Sequence, residues 1–196
     1  LLKAGNDRFV SGSSERPHQD EGRRREVAEG QAPFATVFGC MDSRVAAELI
    51  FDRGLGDLAV VRTAGHVLDN AVLGSLEFGH LGLGTPLIVI LGHDSCGAVK
   101  ATLEANRTGS FPGGYIRDVV ERLTPSLVSA PPHGGGDMDP EQLSNVHVRQ
   151  TVRLLVERSP ALGQAVANGR LAVVGAGYRL DQGKVQLLDV VGDIDE

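Results

Sequence analysis

Apolar residues along the chain fall into short unbroken runs separated by stretches of helical spacing. Five runs read as strands, at residues 34–38, 58–61, 87–91, 171–174 and 185–191. The first four are almost continuously apolar, the pattern of strands covered on both faces of a parallel sheet. Between them the apolar positions recur at three and four residues. This predicts helices over 45–51, 98–105, 115–127 and 141–157, and one over 70–81 with Val72, Leu73, Leu76 and Leu81 on one face. A further helix is expected at 1–10. Strand–helix alternation predicts an α/β architecture, with helices around a mostly parallel central sheet of about four strands. The last two strands are separated by a turn at 181–183 and should pair antiparallel, adding an edge strand. Loops are expected at 109–114 and 130–136, where glycine and proline cluster. Neither flanks a stretch large enough for a second core, so residues 1–196 read as a single domain.

Composition narrows the function. With 41% apolar and 22% charged residues the chain has a globular and not a disordered balance. A net charge of −6, with six phenylalanines, two tyrosines and no tryptophan, supplies neither a basic face nor a stacking platform for nucleic acid. The longest clean apolar run, 87–91, is bounded by Pro86 and Gly92 and falls far short of the ~20 residues of a membrane helix. No signal-peptide pattern opens the sequence, and Leu1 in place of Met leaves room for an upstream segment. Two cysteines, Cys40 and Cys96, make no disulfide framework and read as reduced thiols or metal ligands, so a cytoplasmic location is expected. Arg23, Arg24 and Arg25, flanked by Glu21 and Glu26, read as a solvated helix face.

Two segments carry candidate chemistry. Cys40-Met41-Asp42-Ser43-Arg44 directly follows the first strand. In an extended backbone Cys40, Asp42 and Arg44 project to one side, which gathers a thiolate, a carboxylate and a guanidinium at a strand's carboxyl end. Gly92-His93-Asp94-Ser95-Cys96-Gly97 follows the third strand and opens a helix, whose N-terminus favours a thiolate at Cys96. Both segments end at the same sheet edge. A lone buried cysteine is ordinarily a small hydrophobe. Two of them at strand ends, with His93 three residues before Cys96, form a set suited to zinc. Three ligands leave one tetrahedral position for a water whose pKa falls toward neutrality. Asp42 is either a fourth ligand or an acceptor beside the metal, and a bidentate pair with Arg44 would hold it off. The rivals are a structural zinc site, which normally takes four Cys or His ligands, and a redox pair, for which the C-x-x-C spacing is missing.

Other signals are set aside. Gly54-Leu55-Gly56-Asp57-Leu58-Ala59 has dinucleotide-like spacing but precedes a strand, the reverse of the fingerprint's order. Asn106-Arg107-Thr108 is a formal glycosylation triplet without meaning in a cytoplasmic protein. His66, His80, His133 and His147 could move protons, but each reads as an ordinary polar residue.

With these residues in view, the sequence resembles the β-class carbonic anhydrases. The resemblance spans nearly the whole chain: Gly5-Asn6-Asp7-Arg8-Phe9, Cys40-Met41-Asp42-Ser43-Arg44, Val61-Arg62-Thr63-Ala64-Gly65, Gly92-His93-Asp94-Ser95-Cys96-Gly97-Ala98 and Gly175-Ala176-Gly177-Tyr178. Segments around Ile50-Phe51-Asp52 and Pro112-Gly113-Gly114-Tyr115 look like its actinobacterial branch. The resemblance implies reversible hydration of CO₂ to bicarbonate and a proton, with one zinc per chain on Cys40, His93 and Cys96. It implies that Asp42 and Arg44 are a catalytic dyad in which Asp42 orients zinc-bound hydroxide, or binds zinc itself in a closed state. It places Gln31, Ala59, Ala64, Phe78 and Gly97 around the substrate. It implies a homodimer or homotetramer in which the N-terminal helix wraps a neighbour. In members with a bicarbonate-triggered closed state a Trp, an Arg and a Tyr form the trigger. Here Val37 stands at the Trp position, while Arg62 and Tyr178 match the others, so that trigger is not expected to be intact. Alternatives are hydrolysis of a CO₂ analogue such as CS₂, and a non-catalytic domain that keeps zinc or senses bicarbonate.

Overall fold

The computed structural model describes residues 1–130 and 138–194. Five strands form one sheet: β1 (Ala35–Cys40), β2 (Leu58–Thr63), β3 (Leu87–His93), β4 (Ala172–Arg179) and β5 (Lys184–Val191), in the order β2-β1-β3-β4-β5. The first four run parallel and β5 pairs antiparallel with β4. This is the expected mostly parallel sheet with one antiparallel edge. The strands run further toward their carboxyl ends than the apolar runs suggest. β1 takes in Gly39 and Cys40, and β3 takes in Gly92 and His93. Pairing with a neighbouring strand holds these residues extended although glycine and histidine carry little strand signal of their own.

Eight helices surround the sheet among the described residues: α1 (Leu2–Ser11), α2 (Glu21–Glu26), α3 (Ala47–Ile50), α4 (Asn70–Glu77), α5 (Gly97–Thr108), α6 (Ile116–Val128), α7 (Pro140–Arg158) and α8 (Pro160–Ala167). Local chemistry sets several starts. Asp69 accepts from the Val72 amide at α4, and Asp139 and Ser159 cap α7 and α8, each followed by proline in the first turn. The helix expected over 70–81 is α-helical only to Glu77. A wider π-turn, Phe78–Gly82, completes it, with Gly79 so close to Thr36 that a Cβ would lie 2.4 Å from its hydroxyl. α8 has no counterpart in the apolar pattern, being short and rich in alanine. The 109–114 loop is present, and most of the 130–136 loop lies outside the described residues.

Side-chain alternation splits the core in two. Phe38, Ile88, Ile90 and Val173 face α4, α7 and α8, whereas Val37, Val89, Leu91 and Val174 face α1 and α3. Each fully buried leucine or isoleucine here contributes about 2 kcal/mol by leaving water. Cys40 shares the face of Phe38 and enters a third cluster with Val67, Cys96, Val99, Leu123 and Leu143, where α5, α6 and α7 converge over the sheet's carboxyl edge. α1 docks on its own chain. Asn6 Nδ2 donates to the carbonyls of Ile50 (3.1 Å) and Gly183 (2.8 Å), and its Oδ1 accepts from the Val185 amide (2.9 Å). The inner face of α1 is thus used within the chain, and a neighbouring subunit could meet only its outer face.

Candidate metal centre

β1 and β3 are adjacent parallel strands, and Cys40 and His93 are their last residues. The chain after His93 turns through Ser95, at a φ of 54°, and delivers Cys96 as the N-cap of α5. The turn is pinned to β4: the Asp94 amide donates to the Tyr178 carbonyl (3.1 Å) and the Leu180 amide donates to the Asp94 carboxylate (3.0 Å). Strand order and this turn therefore bring Cys40 to His93 and Cys96, more than fifty residues further along the chain.

The donor atoms of Cys40, His93 and Cys96 all lie within 4.8 Å of one another, with the sulfurs 4.0 Å apart, and all three side chains are buried. Two sulfurs bound to one tetrahedral zinc at ~2.3 Å each would be roughly 3.8 Å apart. The His93 Nδ1–H donates to the Asp94 carbonyl at 2.6 Å. That fixes the tautomer and leaves Nε2, buried and without a partner, as a free lone pair beside the two sulfurs. An orphaned imidazole nitrogen with two thiols is a donor set that zinc fits.

The surroundings favour ionised sulfur at Cys40. The Cys96 thiol donates toward it, and burial opposes the charge. The His93 ring beside it and the amides of Asp42 and Gly65 favour the charge, and the net effect holds the thiol below its ordinary range. The Gly65 N–H lies 3.4 Å from Cys40 Sγ. Sharing its proton with Cys40, and burial, push Cys96 up. For His93 burial works against the charge, but the adjacent Cys40 sulfur, the Asp94 carbonyl and the Asp42 carboxylate together prevail and raise it.

Asp42 stands next to this cluster and outside it. Arg44 grips it with both arms, Nε to Oδ1 at 2.9 Å and Nη2 to Oδ2 at 2.7 Å, and the Arg44 amide adds a third bond to Oδ1. The guanidinium hydrogen bonds, Arg44 first, hold the carboxyl well below the usual carboxylate range against a smaller cost of burial. Of the two placements left open by the sequence, the structure has Asp42 held off the metal cluster. Arg62 donates to the carbonyls of Cys40 (2.9 Å) and Asp42 (2.5 Å), so it braces the backbone of this segment.

The chain belongs to the carbonic anhydrase family. The family model described as "Carbonic anhydrase" matches residues 35–185. "Carbonic anhydrase 2" of Mycobacterium tuberculosis is 53% identical over 195 residues, covering 100% of this chain and 93% of that protein. A carbonic anhydrase of Mycolicibacterium smegmatis is also 53% identical, covering 100% and 94%. Among solved structures, a β-carbonic anhydrase from Coccomyxa in complex with acetazolamide aligns with a TM-score of 0.75 at 25% identity, covering 94% of this chain and 82% of that one. One of two tetrameric β-carbonic anhydrases from Sordaria macrospora aligns at 0.77 and 20% identity, covering 96% of each, and shows the shared fold. The resemblance to the β class, its α/β fold and the enzyme class are thereby established, and zinc is the cofactor of this carbonic anhydrase.

The predicted substrate residues divide. Ala64 follows β2 beside the centre, and Gly97 follows Cys96. Gln31, Ala59 and Phe78 do not meet the centre within the chain. Gln31 precedes β1, Ala59 pairs with Thr36, and Phe78 begins the π-turn whose Gly79 abuts Thr36. At ~3.3 Å per residue, Thr36 and Cys40 are separated by about 13 Å of strand. The trigger residues divide similarly. Val37 is packed in the core, Arg62 is committed to carbonyls, and Tyr178 lies two strands away from β1.

Sequence reasoning undervalued two residues. Ser144 donates to the His93 carbonyl (2.9 Å), and His147 donates through Nε2 to the Gly65 carbonyl (3.1 Å). Both lie on the buried stripe of α7, and their i, i+3 spacing with Val148 and Thr151 was the available signal. His66 is fully buried with neither ring nitrogen partnered, its ring centroid 4.4 Å from that of His147.

Proposed function

We propose that this chain catalyses the reversible hydration of CO₂ to bicarbonate and a proton, with Cys40, His93 and Cys96 holding zinc and Asp42 and Arg44 acting as the catalytic dyad. The observation that carries the reading is the pairing of an unpartnered His93 Nε2 and two thiols with a carboxylate clamped from outside by arginine. When bound, zinc is the Lewis acid that lets water ionise near neutral pH. Asp42, kept ionised, is acceptor-only and takes a hydrogen bond from the attacking oxygen, turning its lone pair toward the carbon of CO₂. Arg44 holds Asp42 in place without approaching the metal donors, and Arg62 fixes the carbonyls on either side of Met41. Ala64 and Gly97 leave room for a linear apolar substrate.

We extend the proposal to assembly. Gln31, Ala59 and Phe78 reach a metal centre only if a second copy supplies them, which favours a homodimer or homotetramer. Phe78 and Leu81, each 63% exposed, offer the apolar surface such contact needs. The reading takes residues 1–196 as a single domain. No described helix is long and apolar enough to cross a membrane. A reducing, cytoplasmic location is proposed because both metal-binding sulfurs must stay as thiols to bind.

Stopped-flow CO₂ hydration on zinc-loaded protein, set against Asp42→Asn, tests the reading. Activity in the wild type and its collapse in the variant are expected. Equal inertness of both, with zinc retained, would overturn it in favour of a non-catalytic zinc domain, and turnover of CS₂ alone would favour the analogue hydrolase.

A further inference from the structure

A buried polar chain runs from the metal centre into the helical layer. Gly65 has both backbone polar groups engaged: its N–H points at Cys40 Sγ (3.4 Å) and its carbonyl accepts from His147 Nε2 (3.1 Å). Its φ of 61° lies in the left-handed region, and a Cβ there would stand 2.8 Å from the Ala98 Cβ and 3.0 Å from Leu123. No side chain can brace this residue. Beyond it, His147 Nδ1 lies 2.8 Å from Ser126 Oγ, and Ser126 Oγ lies 2.7 Å from the Gln150 side-chain amide. His147 is 5% exposed and Ser126 1%.

Hydrogen-bond accounting fixes the tautomer. A carbonyl only accepts, so Nε2 carries the proton and donates to Gly65. Burial keeps the ring neutral, so Nδ1 is the acceptor and the single Ser126 proton serves it. The Gln150 amide closes the chain, its Oε1 placed 2.7 Å from Ser126 Oγ; with the hydroxyl proton given to His147, the amide is assigned flipped so that its NH₂ donates to Ser126. A leucine could fill the same space on α7 without these demands, but it could not donate to the carbonyl.

We propose that His147 is a positioning residue for the zinc centre: its Nε2–H locks the Gly65 carbonyl, and the Gly65 turn so fixed aims an N–H at the Cys40 sulfur. One peptide plane of Gly65 is held by α7, and the sulfur receives its hydrogen bond from the other. An N–H···S bond draws charge from the thiolate and keeps its lone pair aimed where the metal sits. Ser126 and Gln150 set the ring's orientation. This proposal rests on the zinc part of the reading above and not on turnover.

The test uses His147→Phe, which removes the donor and keeps a ring, and His147→Gln, whose amide N–H can still reach the carbonyl. Zinc retention is read by chelator competition, and the sulfur-to-metal charge-transfer band is read after substitution with cobalt(II). We expect His147→Phe to release zinc about tenfold more readily and to shift the band, and His147→Gln to stay near wild type in both. A folded His147→Phe protein with unchanged retention and band, or a His147→Gln protein displaced as far as His147→Phe, overturns the proposal. If His147→Phe does not fold, Ser126→Ala replaces it. A smaller band shift in the same direction supports the proposal, and an unmoved band overturns it. CO₂ hydration does not enter this readout, so an inert protein with a shifted band sinks the activity reading and leaves this one standing.

Discussion

Arg44 meets Asp42 edge to edge, with Nε and Nη2 each on a different carboxylate oxygen, although the two residues are only two positions apart. The pair forms within one turn of chain after β1, so its geometry depends little on the rest of the fold. Arg44 is exposed, and exposed ion pairs contribute little to stability. Replacement should therefore separate function from folding. Arg44→Ala and Asp42→Asn are each expected to lower kcat for CO₂ hydration by about 10²-fold or more, with thermal midpoint and zinc content nearly unchanged. Arg44→Lys should recover little, because an ammonium cannot grip both oxygens. Stopped-flow rates beside metal analysis check this.

Zinc removal should expose the asymmetry of the two thiols. With a chelator, hydration is expected to cease. Alkylation by iodoacetamide, slow in the holoprotein, should then label Cys40 ahead of Cys96, because the surroundings favour the thiolate at Cys40. Peptide mass spectrometry after timed labelling checks the order.

His147 makes a specific demand on pH. Burial lowers it to about 4 from an ordinary value near 6.5, with its bonds to the carbonyl side of Gly65 and His66 opposing only in part. A depressed folded pKa means that the contribution is complete above about 6.5 and is lost as pH falls toward 4, because the unfolded ring gains a proton that the folded one refuses. The loss can reach about 3 kcal/mol. Urea denaturation at pH 7.5 and 5 should show a smaller acid loss in His147→Gln than in the wild type.

Asn6 is fully engaged by three bonds to two distant segments. Asn6→Ala leaves two carbonyls and one amide short of a partner and should cost about 2–3 kcal/mol. The expected signature is a lower urea midpoint with zinc affinity retained, since the metal centre lies at the other face of the structure's core.

If Gln31 serves a neighbour's centre, two defective chains should rescue one another. Asp42→Asn and Gln31→Ala proteins, each weakly active alone, are expected on mixing and reassociation to regain roughly a quarter of wild-type activity, from dimers with one intact site. No gain on mixing would place Gln31 outside the shared pocket.

The sequence made the metal ligands legible because cysteine and histidine at strand ends have few other uses; strand order brings Cys40 to His93, and the short turn after β3 adds Cys96. The sheet was legible for a similar reason: unbroken apolar runs have one natural home. His147 and Ser144 were not, because a polar residue on a buried helical stripe looks the same whether it holds a catalytic turn or merely a stray carbonyl. α8 was missed because alanine and glycine give a weak period. The division of the pocket residues was invisible for a different reason. A sequence shows which residues exist in one chain but not how far apart the two ends of a strand put them.

The Asn6 fastening also orders events in time. Its partners are split: Ile50, beside α3, offers α1 a seat close in sequence, whereas Gly183 and Val185 belong to the β4–β5 hairpin far along the chain. The docking of α1 should therefore be complete only once the β4–β5 hairpin has formed, a long-range contact that closes late in folding.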